Sequence, residues 1–281
     1  MPPHLSANYP IPMMSRYIKA FLPLLVLFSS GCVNLKEETD VTRDWSAERL
    51  YQEAKHQQEL DDFESAISYL EKLEARYPYG NFAAQAQLDV AYIHFIDNEP
   101  TLALAATERF IRLHPTHPSV DYAYYLKGLI YFNVKRGAFD WLLGKNVDYS
   151  DRDPLAMRNA LTAFRELVKR FPDSKYAPDA HQRITYLVNL MAKSEIHVAR
   201  YYYKMEAYVA TVNRCKYVLE NFQRTPATED ALGLAAMAYF KMGYPGLMDD
   251  SIRVLKLNFP KSRYLGEIAL MKSGEDNGDA G

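Results

Sequence analysis

Few side chains in this sequence are spaced to do chemistry, and most of those lose that reading on closer inspection. His114 and His117 stand in His-Pro-Thr-His-Pro, where two imidazoles could meet a metal. The prolines hold that loop extended, and two ligands without a third or fourth make a weak site. The acidic pairs Asp61-Asp62 and Asp249-Asp250 fall at expected helix starts, where they complement the helix dipole. There is no G-x-S-x-G elbow, no phosphate-binding glycine loop and no dinucleotide fingerprint. One residue keeps a chemical reading: Cys32, a thiol that directly follows Ser29-Ser30-Gly31. Its chemistry would be modification of the chain, not catalysis by it. No catalytic, cofactor-binding or metal-ligating residue is expected.

What precedes Cys32 is an export signal. Arg16 and Lys19 form a basic segment, Ala20 to Phe28 an apolar one, and the small residues before the cysteine a cleavage site. The apolar run is roughly half of the ~20 residues that a membrane-spanning helix needs. Residues 1–12 hold several prolines and neither Lys nor Arg, which places the true start at Met13 or Met14. The small residues and Cys32 resemble a bacterial lipoprotein box, in which the thiol takes an S-diacylglycerol group and the new N-terminus is acylated. Ser29 departs from that pattern, which prefers Leu, and Val33 in place of Asp is similar to an outer-membrane address. The other reading of Cys32 is a secreted cysteine awaiting a disulfide. Its only possible partner is Cys215, mid-helix between Arg214 and Lys216; with Cys32 lipidated, Cys215 is a free core thiol. Two or three acyl chains anchor stably, whereas one is marginal. Covalent lipid is the only non-protein group expected.

Positioning falls to a repeat. Ala54, Ala91, Gly128, Ala199 and Ala236 lie 37, 37, 71 and 37 positions apart. Twelve residues after the first two come Ala66 and Ala103, and twelve further on Pro78 and Pro115. A small residue, another one helix later, then a proline is the tetratricopeptide (TPR) plan. The small positions let two antiparallel helices approach, and the proline ends the second. The expected fold is all-α, a TPR solenoid of about five helix-turn-helix repeats and ten helices. Residues 1–31 are the signal, 32–45 the lipidated N-terminus and flexible tether, 46–134 the N-terminal repeats, 135–153 an insertion, 154–265 the C-terminal repeats and 266–281 a tail.

The apolar stripes support this division. Phe63, Ala66, Ile67, Leu70 and Leu73 mark the second helix of repeat one, and Leu102, Ala105, Ala106 and Phe110 that of repeat two. Gly128 and Ala160 are 32 residues apart where neighbouring repeats use twelve, so about twenty residues enter the turn of repeat three. The insert carries Phe139-Asp140-Trp141-Leu142-Leu143, a strap on its own solenoid or a partner contact. It closes on Asp153-Pro154, an N-cap followed by proline at the first helical position. Ala177–Lys204 contains no Gly and, past Pro178, no Pro, so one helix of about 28 residues bridges repeats three and four. Thr211 and Gln223 replace the Ala and Pro of repeat four, and Lys272–Gly281, rich in Gly, Asp and Asn, is expected to be disordered.

Removing residues 1–31 takes away Arg16 and Lys19 and no acid, shifting the net charge from −2 to −4. That is too balanced for a nucleic-acid binder. Tyr is in excess, 22 against 13 Phe and 2 Trp, which suits helix seams and wet grooves alike.

Several stretches are similar to one family, the BamD (ComL-type) lipoproteins of the outer-membrane β-barrel assembly machinery. They are Arg76-Tyr77-Pro78-Tyr79-Gly80, the run from Arg109 to Pro118, Ser150-Asp151-Arg152-Asp153-Pro154 and Val212-Asn213-Arg214. The likeness covers about residues 14–265. It implies a non-enzymatic subunit anchored in the outer membrane and facing the periplasm. Its C-terminal repeats would dock on a POTRA domain of the barrel-forming BamA, with BamC as a further partner. Its N-terminal repeats would receive C-terminal signals of unfolded outer-membrane proteins. Asn213 and Arg214 match the family's charged POTRA contact, though Arg214 also fits a solvated outer face. Tyr77 matches a signal-pocket position, though it also fits helix-end packing. Glu64 stands where some relatives carry a basic residue. Another TPR lipoprotein, an adaptor for peptidoglycan or division enzymes, is the alternative.

Overall fold

The computed structural model describes residues 40–80, 82–133 and 154–276. The chain divides into an N-terminal unit, Met1–Trp45, and a helical body from Ser46 onward. In the N-terminal unit the Asp40 carboxylate accepts from both the N–H and the hydroxyl of Thr42, at 3.0 and 2.7 Å, closing a short turn.

The body is built of eleven α-helices among the described residues, with no strand. They are α1 (Ala47–Glu59), α2 (Phe63–Arg76), α3 (Ala83–Ile96), α4 (Pro100–Leu113), α5 (Val120–Asn133) and α6 (Pro154–Arg170). There follow α7 (Ala177–Lys204), α8 (Tyr208–Asn221), α9 (Ala227–Lys241), α10 (Pro245–Asn258) and α11 (Arg263–Asp276). Odd-numbered helices open the repeats and even-numbered ones close them. The long helix expected over 177–204 is observed as α7. None of the described helices is long and apolar enough to cross a membrane.

Starts and stops follow local chemistry. Ser46 and Asp62 cap α1 and α2 through their side-chain oxygens, accepting from Arg49 N and Ser65 N. Pro100 and Pro245 open α4 and α10, where a missing N–H costs nothing. Four turns between paired helices share one backbone device. Asp61, Asn98, Glu206 and Gly243 all have φ between 58° and 74°. The residue after each donates its N–H back across the turn, as Glu99 does to His94 O at 2.9 Å. Each of these residues lies seven places after a signature small residue, so the repeat is written in the backbone too.

The signature positions do what the spacing demands. Ala54, Ala91, Gly128, Ala199 and Ala236 are buried, as are Ala66, Ala103 and Ala160 on the partner helices. Gly128 is the tightest of these: a Cβ there would overlap the ring carbons of Phe164. Thr211 replaces alanine and stays buried because its hydroxyl donates to the Ala207 carbonyl at 3.2 Å.

Two expectations need correction. On α4 the buried stripe is Ala103, Thr107 and Phe110, while Leu102 is 49 % exposed and Ala105 faces solvent. Burial is possible for Thr107 because its hydroxyl donates to the Ala103 carbonyl at 2.6 Å; Phe110 is buried as expected, and Ala106 packs partly against the core. At the C-terminus α11 runs to Asp276, through the segment expected to be disordered from Lys272. Its anchors are Tyr264 and Ile268, buried one turn apart against α9 and α10. The apolar insert run and Asp153 lie outside the described residues, although α6 does begin at Pro154.

Candidate interaction sites

Cys32 lies outside the described residues. The other sequence-derived candidates fall on two surfaces that do not meet, Tyr77 in repeat one and Asn213-Arg214 in repeat four.

Tyr77 terminates α2. Its N–H donates to Leu73 O at 2.9 Å, and its carbonyl accepts from Gly80 N at 3.0 Å. His114, Phe171, Phe222 and Phe259 end the other second helices with the same two bonds. A ring here is therefore a repeat-wide device, and helix-end packing accounts for the residue type. Exposure distinguishes Tyr77: it stands 36 % exposed, beside a wholly exposed Tyr79, whereas Phe222 is buried and the other three are half-buried. Glu64 is exposed in the first turn of α2, thirteen residues earlier on the same helix. At 1.5 Å per residue that is about 20 Å from Tyr77, so the two do not form one pocket.

Asn213 and Arg214 sit on the outer face of α8, whose inner face buries Thr211, Cys215 and Val218. The guanidinium of Arg214 donates to Glu195 Oε2 of α7 at 3.0 Å. Beside this pair Val209, Asn213 and Tyr217 line up at four-residue spacing, Val209 being 67 % and Tyr217 42 % exposed. Met205, at the end of α7, is exposed as well. An apolar row interrupted by an amide and edged by an ion pair has the make-up of a docking surface.

Cys215 faces the opposite way. Burial, and after it the negative charge of Asp230, pushes its thiol up to about 12. The thiolate is the reactive form, so alkylation of the native chain at neutral pH is expected to await unfolding. Iodoacetamide labelling at equal rates with and without denaturant would place Cys215 on the surface instead.

His114 and His117 are both engaged, one with α3 and one within the loop. His114 Nε2 meets Gln87 Oε1 at 3.0 Å, and His117 Nδ1 accepts the Ser119 N–H at 3.1 Å. Burial, then the neighbouring His114, holds His117 below its ordinary pKa. Among the described residues no three metal-ligating side chains gather.

Known proteins share the sequence over most of its length. The YfiO family, described as "Outer membrane lipoprotein", matches residues 43–255. The outer membrane protein assembly factor BamD of Neisseria meningitidis serogroup A is 46 % identical over 244 residues, 87 % of this chain and 90 % of its own. The BamD of Vibrio cholerae is 32 % identical across 88 % of this chain and 99 % of its own. The chain belongs to the BamD family. Among solved structures MamA aligns with 75 % of this chain and 90 % of its own at 13 % identity and a TM-score of 0.35, too loose a likeness to inform function. The family span includes Tyr77, Asn213 and Arg214, while Cys32 precedes it.

One feature of this BamD-family chain was not read from its sequence. Tyrosines of the first helices reach across repeats to acids that each also meet a cation. Tyr51 Oη donates to Asp89 at 2.8 Å with Lys55 at 3.7 Å, and Tyr125 Oη donates to Asp179, which also binds Arg183. Tyr264 Oη donates to Asp230 at 2.6 Å, which also binds Arg200. Burial, and next the charge of Asp89, raises the Tyr51 phenol well above its ordinary range. These clasps tie neighbouring repeats together. The tyrosine excess was the available signal, but composition does not say which hydroxyls find an acid.

Proposed function

We propose that this chain is a non-enzymatic lipoprotein subunit of the complex that assembles β-barrel proteins in the outer membrane. Acyl chains on Cys32 hold it to that membrane, with the repeats in the periplasm. Its C-terminal repeats dock on a POTRA domain of a BamA-type barrel protein through Asn213 and Arg214, and a BamC-like lipoprotein joins the assembly. Its N-terminal repeats, around Tyr77, receive the C-terminal signals of unfolded outer-membrane proteins. Membership of the BamD family supports the role, and a stack of helix pairs is a scaffold that offers separate surfaces to separate partners.

The observation that carries the docking reading is the outer face of α8. Val209, Asn213 and Tyr217 form an exposed row, and the Glu195 carboxylate holds the neighbouring Arg214 in place. Arginine and tyrosine are the residues that most often anchor interfaces.

The test is conditional depletion combined with purification from detergent-solubilised outer membranes. Folded barrel proteins should fall in the outer membrane, and a POTRA-bearing barrel protein should co-purify. Normal barrel assembly after depletion would end this reading. Anchoring has its own check. Cys32→Ala leaves the basic and apolar parts of the signal intact, so the chain should appear in the soluble periplasm or as uncut precursor. Membrane retention equal to wild type would exclude lipidation.

A further inference from the structure

The second helix of repeat three, α6, turns one sign of charge outward. Arg158, Thr162, Arg165 and Lys169 follow one another at spacings of four, three and four, so they share one face of the helix. All four are exposed, while Met157, Ala160, Phe164 and Leu167 are buried on the opposite side and fix that orientation. From Arg158 to Lys169 the stripe runs about 16 Å. Arg170 ends the helix beside it, its guanidinium over the Tyr124 ring at 5.3 Å. Arg112 holds the place on α4 that Lys169 holds on α6, nine residues after the buried alanine of its helix, and it too is exposed. The loops that follow α4 and α6 border one cleft, so these two helix ends adjoin.

Two observations set this stripe apart from ordinary surface charge. Among the described residues none of Arg112, Arg158, Arg165 and Lys169 meets a carboxylate. Outward arginines elsewhere do: Arg109 binds Glu74 at 2.6 Å, Arg214 binds Glu195 at 3.0 Å and Arg253 binds Asp250 at 2.7 Å. Nor does the helix itself call for all of these cations. Arg112, Lys169 and Arg170 complement the carbonyl ends of their helices, but Arg158 stands in the N-terminal half of α6 and has no such support. Arg165 and Lys169, four residues apart, repel each other. The half-buried Glu166 is the one acid of α6 against four cations, in a chain that is acidic overall. Asp121 and Asp173 line the cleft, not the stripe.

We propose that the α6 stripe, joined by Arg112, rests on the anionic phospholipid headgroups of the membrane that holds this chain. The inference rests on the reading that Cys32 carries the lipid anchor. Thirteen residues separate Cys32 from Ser46, and at no more than ~3.6 Å each they keep the start of the repeats within about 50 Å of the headgroups. A straight row of long cations without partners suits a flat anionic surface in which lipids move to meet the charges. A folded acidic partner would instead need carboxylates placed to match. Leu113, 56 % exposed beside Arg112, adds an apolar side chain that fits among headgroups. The contact is too weak to anchor the chain alone. It orients it, turning the second helices of the central repeats toward the membrane and the first helices away.

The test uses the full mature chain carrying Cys32→Ala, so that no acyl chain contributes. It is mixed with vesicles of phosphatidylcholine, pure or blended with phosphatidylglycerol. Flotation at low salt should recover the chain with the blended vesicles and not with the pure ones. Recovery should vanish near 1 M salt, where charges are screened beyond ~3 Å. Each Lys or Arg near an anionic surface strengthens binding about fivefold, so Arg158→Gln combined with Arg165→Gln should weaken it about 25-fold. The control removes two cations that are already paired, Lys216→Gln with Arg253→Gln, from α8 and α10. It makes the same change in net charge and should keep most of the binding. All four positions are exposed, and melting curves check that the variants stay folded. Equal recovery with both vesicles, no recovery with either, or an equal loss in the two double variants would overturn the proposal. So would binding of poly-glutamate without binding of vesicles, which would hand the stripe to an acidic protein. Lipidation is read separately, by fractionating cells that carry Cys32→Ala, so the two readings fail apart.

Discussion

Gly128→Leu should lower the melting temperature by roughly 2–12 °C. Gly128 lies on α5 at the signature position, and a Cβ placed there would clash with the ring carbons of Phe164. That ring cannot move aside, because Phe164 is 0 % exposed and packed among Leu161, Leu167 and the helices on either side. Overpacking a filled core costs ~1–3 kcal/mol, and each kcal/mol moves the transition of a chain this long by about 2–4 °C. The control is a glycine of the opposite kind. Gly266 on α11 has nothing within 4 Å of its Cβ position. Gly266→Ala should therefore leave the melting temperature unchanged or raise it, since alanine favours a helix by up to about 1 kcal/mol over glycine. A pair of melting curves decides the matter. Gly128→Leu melting like wild type would mean that the close approach of α5 and α6 is not what requires glycine.

The contrast between those two glycines shows what a sequence can express. Ala54, Ala91, Gly128, Ala199 and Ala236 were legible because helix contact restricts the residue type, so the same kind of side chain recurs at 37-residue spacing. The turn series Asp61, Asn98, Glu206 and Gly243 has an equally strict spacing and a shared positive φ, yet four residue types satisfy it. Backbone conformation repeats there while chemistry does not. Thr107 was left out of the α4 stripe because it looks polar and becomes buriable only by bonding its own helix. The end of the chain was misread for a related reason. Glycines and acids dominate its composition, while two residues, Tyr264 and Ile268, decide whether it packs. Of the interaction sites, Arg214 was legible as outward-facing because Cys215 and Val218 mark the opposite, buried face of α8. Its bond to Glu195, nineteen residues earlier, was not, because it depends on how α7 and α8 pack against each other.

Arg214→Glu should weaken docking to the periplasmic domain of the barrel-forming partner by roughly 30-fold or more while leaving the fold in place. Within this chain the change sets a second carboxylate beside Glu195, exchanging an attraction at 3.0 Å for a repulsion. Both side chains are in contact with water, Arg214 being 45 % exposed, and such pairs contribute at most about 1 kcal/mol. The melting curve should therefore shift by only a few degrees. At the proposed interface the same arginine would be desolvated by the partner, where losing its charge partner would cost ~2–5 kcal/mol, a factor of ten corresponding to about 1.4 kcal/mol. Glu195→Gln separates the two roles of the arginine. If Glu195 serves to hold Arg214 in its docking rotamer, the glutamine variant keeps the charge and loses the orientation, and binding falls by a few fold. If Glu195 competes with the partner for Arg214, the same variant binds more tightly. Isotherms against the purified POTRA domains, read beside the melting curves, distinguish these results. Unchanged binding in Arg214→Glu would move the contact off α8, and a collapsed melting curve would make the arginine a structural residue.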